Sequence, residues 1–177
     1  MSDIKLYEEL VKILIEQKSS QIISNGMIAH AIILIREMMN NAKRNVRIFC
    51  HELNHEVYAD LGIVESIKNA INRNITVNII IQKEAPDEQS LDLIKLFENK
   101  ILHSAIYSAS DCARLAELPF NFCITDDGLM YRLEPDRNKP CARACMNASN
   151  DKEIKQIVSL FDSALGISKK LYPKEAF

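Results

Sequence analysis

The chain has 177 residues, enough for one well-packed domain and short for two. Hydrophobic residues make up 47% and charged residues 26%, which excludes wholesale disorder. The net charge of −2 excludes a global field that would draw the protein to nucleic acid or an anionic membrane, and no apolar run approaches the roughly 20 residues that span a bilayer. The first residues, MSDIKLYEEL, carry charge throughout and lack a signal-peptide core. Five cysteines without paired spacing suit a reducing compartment, so a cytoplasmic protein without membrane attachment is expected.

In chain order, Ile4, Tyr7, Leu10, Val11, Leu14 and Ile15 form a helical stripe, and Ser19, Ser20 and the Asn25-Gly26 pair break that helix. A second helix is predicted from Met27 to Arg44, with Ile28, Ala31, Ile32, Ile35, Met38 and Met39 inward and Lys43-Arg44 near its C-terminal dipole. A strand over Val46 to Cys50 follows, then a helix over Gly62 to Asn72. Ile75 to Ile81 is apolar and β-branched enough for a strand buried on both faces of a parallel sheet. Next come a helix from Asp87 to Glu98, a strand over Ile101 to Ser108 and one or two helical turns between Ser110 and Leu118. Pro119 to Glu134, PFNFCITDDGLMYRLE, reads as strand, Asp-Asp-Gly turn and strand. A strand from Cys141 to Asn147 and a helix from Asp151 to Leu171 end the chain, with Ile154, Ile157, Val158, Phe161 and Leu165 inward.

Early helix–strand alternation followed by an antiparallel excursion predicts an α/β fold with a mixed central β-sheet flanked by helices. One domain is expected over residues 1–177, with an N-terminal helical pair and residues 1–26 as a helical appendage.

From about Ala29 to Tyr172 the order of elements resembles a phospholipase D-like half-domain. The similarity rests on NAKRNVRIF, on LNHEVYADLGIVESIKNAINRNITVNIII, on the hairpin NFCITDDGLMYRLEPD, and on CARACMNASN with the helix after it. In that superfamily the hairpin carries His-x-Lys-x4-Asp. Counting back from Asp127, the seats of His and Lys hold Phe120 and Phe122. The Gly-Ser-x-Asn element of the family is also missing, since Glu134, Pro135, Asp136 and Arg137 occupy that region. The chemistry implied by the resemblance needs an imidazole nucleophile and a cationic clamp, which two phenyl rings do not supply. The resemblance therefore implies a noncatalytic binding or regulatory protein, and a homodimer, because small members build their site from two half-domains. Fold analogy also points to a bacterial genome-defence setting.

Four charged residues near the hairpin, Arg132, Glu134, Arg137 and Arg143, are the candidate binding residues. If they converge, they form an anion pocket for a phosphorylated ligand or a nucleic-acid backbone; otherwise they form a cross-strand ion-pair network. A protein partner is the third possibility for the cleft. A competing motif is His51-Glu52-Leu53-Asn54-His55, which matches HExxH. On a helix it would set His51 and His55 on one face as zinc ligands with Glu52 as general base, the arrangement of a zinc-dependent hydrolase. Against this, a strand directly precedes His51 and no third ligand has convincing spacing, so no metal and no cofactor is the first expectation. Cys141 and Cys145 read as small strand residues or as contributors to such a metal site. Cys50, Cys112 and Cys123 read as core, and His30 as a packing histidine.

Overall fold

The computed structural model describes residues 3–86, 88–98, 103–139 and 141–174. Helix α1 (Asp3–Glu16) buries Val11 and Leu14, whereas Leu10, expected inside, is 39% exposed. Strand β1 (Ile22–Ser24) follows, then α2 (Ile28–Asn41), β2 (Asn45–Cys50), the short α3 (His55–Tyr58), α4 (Leu61–Asn72) and β3 (Thr76–Ile81). A 3-10 turn at Glu88–Ser90 leads into α5 (Leu91–Phe97), β4 (Ala105–Ser108) and α6 (Ala113–Ala116). The hairpin is β5 (Asn121–Thr125) and β6 (Met130–Glu134), and β7 (Arg143–Cys145), α7 (Lys152–Leu165) and β8 (Lys169–Tyr172) complete the chain.

Among the described residues the eight strands form one mixed sheet in the order β1-β7-β6-β5-β2-β3-β4-β8. Strands β2, β3 and β4 run parallel at its centre, and β5 and β8 flank them antiparallel. Helices α1, α2, α4 and α5 cover one face, where Leu34, Met38, Ile63, Ile67 and Phe97 pack on Ile48, Val77, Ile79 and Cys123. On the opposite face, α6 and α7 place Leu115, Ile154 and Phe161 against Phe49, Ile80, Phe122, Ile124, Tyr131 and Leu133. The alternation of these two sets along β2 and β5 is the period-2 rule of a strand covered on both sides.

Several boundaries differ from the sequence expectation. Helix α2 stops at Asn41, and the backbone N–H groups of Lys43 and Arg44, placed in its last turn by the sequence, donate instead to the Asp126 carboxylate at 3.1 and 2.7 Å. The segment read as an appendage supplies both an edge strand, β1, and the buried Val11 and Leu14. The last helix ends at Leu165, with Gly166 after it, and Lys169–Tyr172 pairs with β4 as the other edge. Both edge strands are three or four residues long, too short for their alternation to stand out in the sequence. Cys141 is exposed and lies outside β7, so it does not share a strand face with buried Cys145. The predicted Asp87 cap and residues Ile101 and Leu102 lie outside the described residues.

The β5–β6 turn has three consecutive residues at positive φ: Asp126 (49°), Asp127 (61°) and Gly128 (99°). Glycine is required at the third, because a Cβ there would also lie 3.1 Å from Ile154 Cγ2 on α7. Gly128→Ala should cost about 1–3 kcal/mol, read as a lower urea midpoint with an unchanged slope.

Candidate ligand-binding cleft

The sheet separates two groups of residues that the sequence places side by side. Phe122 is 2% exposed and points to the α7 face, with its ring centroid 5.5 Å from Phe49 and 5.9 Å from Phe161. Phe120, two residues earlier and half-buried, faces the same way, 5.7 Å from Phe49 and 6.0 Å from Phe122. Beside it an apolar groove is lined by Phe120, Leu133, Pro135, Ile157 and Leu160. Arg132 is paired with Cys123 in register and therefore faces the other way, toward α2.

On that α2 face is a cleft of about 160 Å³ lined by Asn25, Cys50, Glu52, Tyr58, Asn121, Arg132 and Glu134, with Ala31, Ile35 and Val57 as an apolar floor. It lies toward the carboxyl end of β2, the end of parallel strands at which open α/β sheets bind ligands. Arg132 Nε donates to Oδ1 of fully buried Asn25 at 2.5 Å, and Asn25 Nδ2 reaches the Tyr7 hydroxyl of α1 at 3.4 Å. That contact holds the guanidinium in place, while neither terminal nitrogen has an acceptor among the described residues. Asn121 links the strands: its Oδ1 accepts from the His51 backbone N–H at 2.9 Å and its Nδ2 donates to Glu134 Oε2 at 2.7 Å. Glu134 Oε1 has no donor among the described residues.

Tyr58 is 7% exposed, and its hydroxyl has no hydrogen-bond partner among the described residues. Burial pushes its pKa well up, so it remains a neutral phenol; both Arg132 and Glu134 act on it electrostatically. Burial likewise raises the Cys50 thiol and pushes Cys123 up to about 12, offset in part by Arg132. These two cysteines should therefore resist a thiol reagent at pH 8 in the folded protein while exposed Cys141 reacts. Equal labelling rates before and after denaturation would contradict that burial.

The four charged residues singled out in the sequence do not converge. Arg132 and Glu134 share the cleft without an ion pair to each other within 4 Å. Arg143 lies on the opposite face of the sheet, where it pairs with Glu153 of α7 at 2.7 Å. Arg137 leaves the sheet and donates to Gln82 Oε1 and the Leu118 carbonyl, both at 2.8 Å. Neither the single anion pocket nor the single cross-strand network describes all four.

The HExxH segment is not on one helix. His51 follows β2, Asn54 caps α3 by accepting from the Glu56 N–H, and His55 opens α3. The i, i+4 helical geometry required of paired zinc ligands is therefore lost. His51 Nδ1 lies 3.3 Å from Gln82 Oε1, and Glu52 is held in an ion pair by Lys83. Among the described residues no group of three His, Cys, Asp or Glu side chains is placed to hold a metal ion. His30 stacks on Tyr7 with ring centroids 3.7 Å apart. Asn25, Tyr58 and Asn121 were not legible as site residues: Asn25 reads as a helix breaker and Asn121 as a polar interruption between two phenylalanines.

No family model matches the chain, and no curated protein matches it. Its fold is similar to Nuc, a phospholipase D family member from Salmonella typhimurium, with 13% identity, a TM-score of 0.57 and coverage of 79% of this chain and 90% of that one. It is similar to NucT from Helicobacter pylori at 16% identity and a TM-score of 0.54, covering 77% and 88%. A third likeness is to TrmBL2, an archaeal chromatin protein whose structure shows a novel mode of DNA binding, with 13% identity and a TM-score of 0.56. That match covers 94% of this chain and 62% of TrmBL2. At these identities the likeness carries the fold alone.

Proposed function

Taking the phospholipase D-like fold as the premise, we propose that this protein is a noncatalytic binding or regulatory protein whose ligand site is the Arg132–Glu134 cleft. One observation supports both halves of that reading. Phe120 and Phe122, at the seats that the resemblance gives to nucleophile and cation, pack ring against ring, while the open polar groups lie on the opposite face. A guanidinium with two unoccupied donor nitrogens in a recessed site favours a small anionic ligand, a phosphorylated compound or a carboxylate. Proton transfer and nucleophilic attack need a basic group within hydrogen-bond reach of a reacting atom. Of the two carboxylates in the cleft, Glu52 is held in an ion pair by Lys83 and Glu134 accepts from Asn121 Nδ2.

Calorimetric titration with inorganic phosphate and acetate tests the reading. Weak binding that Arg132→Ala abolishes is expected, and binding that survives the substitution removes Arg132 from the site. A nucleic-acid role takes its support from the likeness to TrmBL2, whose structure shows a novel mode of DNA binding. For this chain it predicts a gel shift of duplex DNA at low salt that weakens as salt rises. The homodimer and the genome-defence setting belong to the same proposal; sedimentation at micromolar concentration separates monomer from dimer.

A further inference from the structure

We infer that the cleft takes a small zwitterion: one molecule carrying an anionic group for Arg132 and an ammonium group for Glu134. This rests on the cleft being the ligand site and adds the second half of the recognition.

Arg132 and Glu134 are two residues apart on β6 and on one face, about 7 Å apart along the strand. Two long side chains of opposite charge can meet across that spacing, yet no ion pair forms between them within 4 Å. Each is held back by an asparagine on a neighbouring element. Asn25 takes Arg132 Nε and leaves the two terminal nitrogens, and Asn121 takes Glu134 Oε2 and leaves Oε1. The result is a separated donor fork and acceptor, with the unpartnered hydroxyl of 7%-exposed Tyr58 in the same recess.

Polarity also narrows the ligand. The cleft lining sets one arginine against Glu134, while Glu52 is paired with Lys83, so it offers no excess positive charge to a polyanion such as a nucleic-acid backbone. A ligand whose positive end faces Glu134 does not. The floor of Ala31, Ile35 and Val57 suits a short hydrocarbon portion, and a recess of about 160 Å³ suits a small ligand such as one free amino acid. The anionic end is a carboxylate or a phosphate; both match a guanidinium fork.

The test is calorimetric titration of the full chain with each of the twenty L-amino acids and with O-phosphoethanolamine. N-acetyl amino acids and glycerol 3-phosphate, which keep the anion and lack the amine, are the controls. Binding of an amino acid or of O-phosphoethanolamine, at least about tenfold tighter than its amine-free control, is expected; which of the two binds identifies the anion. Arg132→Ala should weaken that binding about 30-fold. Glu134→Gln should erase the preference over the control, and urea denaturation checks that each variant is folded. If amine-free anions bind as tightly as zwitterions in an Arg132-dependent way, the zwitterion inference is overturned and the anion cleft stands. If no probe binds in an Arg132-dependent way, both fall.

Discussion

Asp126→Ala is expected to lower stability by about 3 kcal/mol, a drop in Tm of roughly 6–12 °C for a chain of this size. Asp126 is 6% exposed, and its carboxylate accepts from three successive backbone N–H groups, those of Lys43, Arg44 and Asn45, at 2.7 to 3.4 Å. Its own N–H donates to the Asn45 carbonyl at 3.0 Å. This one side chain fixes the sharp exit from α2 into β2 against the hairpin turn, and its backbone stands at a φ of 49°. Alanine removes the acceptor, leaves three part-buried amides without that partner and is poorer than aspartate in the left-handed region. Asp126→Asn keeps an acceptor and the backbone preference, so it should lose about half as much. Neighbouring Asp127 bonds Arg44 and Arg47 at 3.1 and 3.0 Å but is 45% exposed at its side chain, and Asp127→Ala should cost below about 1 kcal/mol. Thermal denaturation of the three variants measures the difference; equal losses at Asp126 and Asp127 would remove the buried carboxylate from the account.

Phe122→Ala is expected to be as damaging, at about 3–5 kcal/mol, because the ring is nearly fully buried between Phe49, Phe120 and Phe161. Phe120 is half-buried at the rim of the same cluster and should lose about half as much on truncation. The contrast matters for function. Phe122→Lys, which restores the residue type that the resemblance expects, would bury an ammonium among Phe49, Phe120 and Phe161. The double change Phe120→His with Phe122→Lys should therefore yield a strongly destabilised protein without phosphodiesterase activity. A folded, active double variant would mean that the site had been kept intact apart from two side chains.

Much of the architecture was legible because the strongest sequence signals are long and periodic. Ile75 to Ile81 read most naturally as a strand covered on both faces, and Thr76–Ile81 is β3 between two parallel neighbours. The Asp-Asp-Gly turn fixed the hairpin, and the stripes of α2, α4 and α7 fixed the layers. The edge strands β1 and β8 were hidden because each pairs on one side only and spans too few residues for a pattern. The site was less legible for a geometric reason. Arg132 and Arg143 are eleven positions apart and pair through adjacent strands, so a register of one residue decides whether they share a face. Arg143 stands opposite Leu133 and Arg132 opposite Ala144, which places them on different faces. Nor does sequence reveal that Asn25, remote in the chain, folds over β6 to hold the guanidinium.

We propose that ligands bind in the Arg132–Glu134 cleft and that the protein carries out no phosphoryl transfer on either face of the sheet. Hydrolysis of bis(4-nitrophenyl) phosphate by the wild-type protein, followed beside the Phe120→Ala, His51→Ala and Arg132→Ala variants, tests it most directly. The expected result is a rate equal to buffer in all four proteins. Turnover by the wild type that is lost on replacing His51 or Arg132 would contradict it.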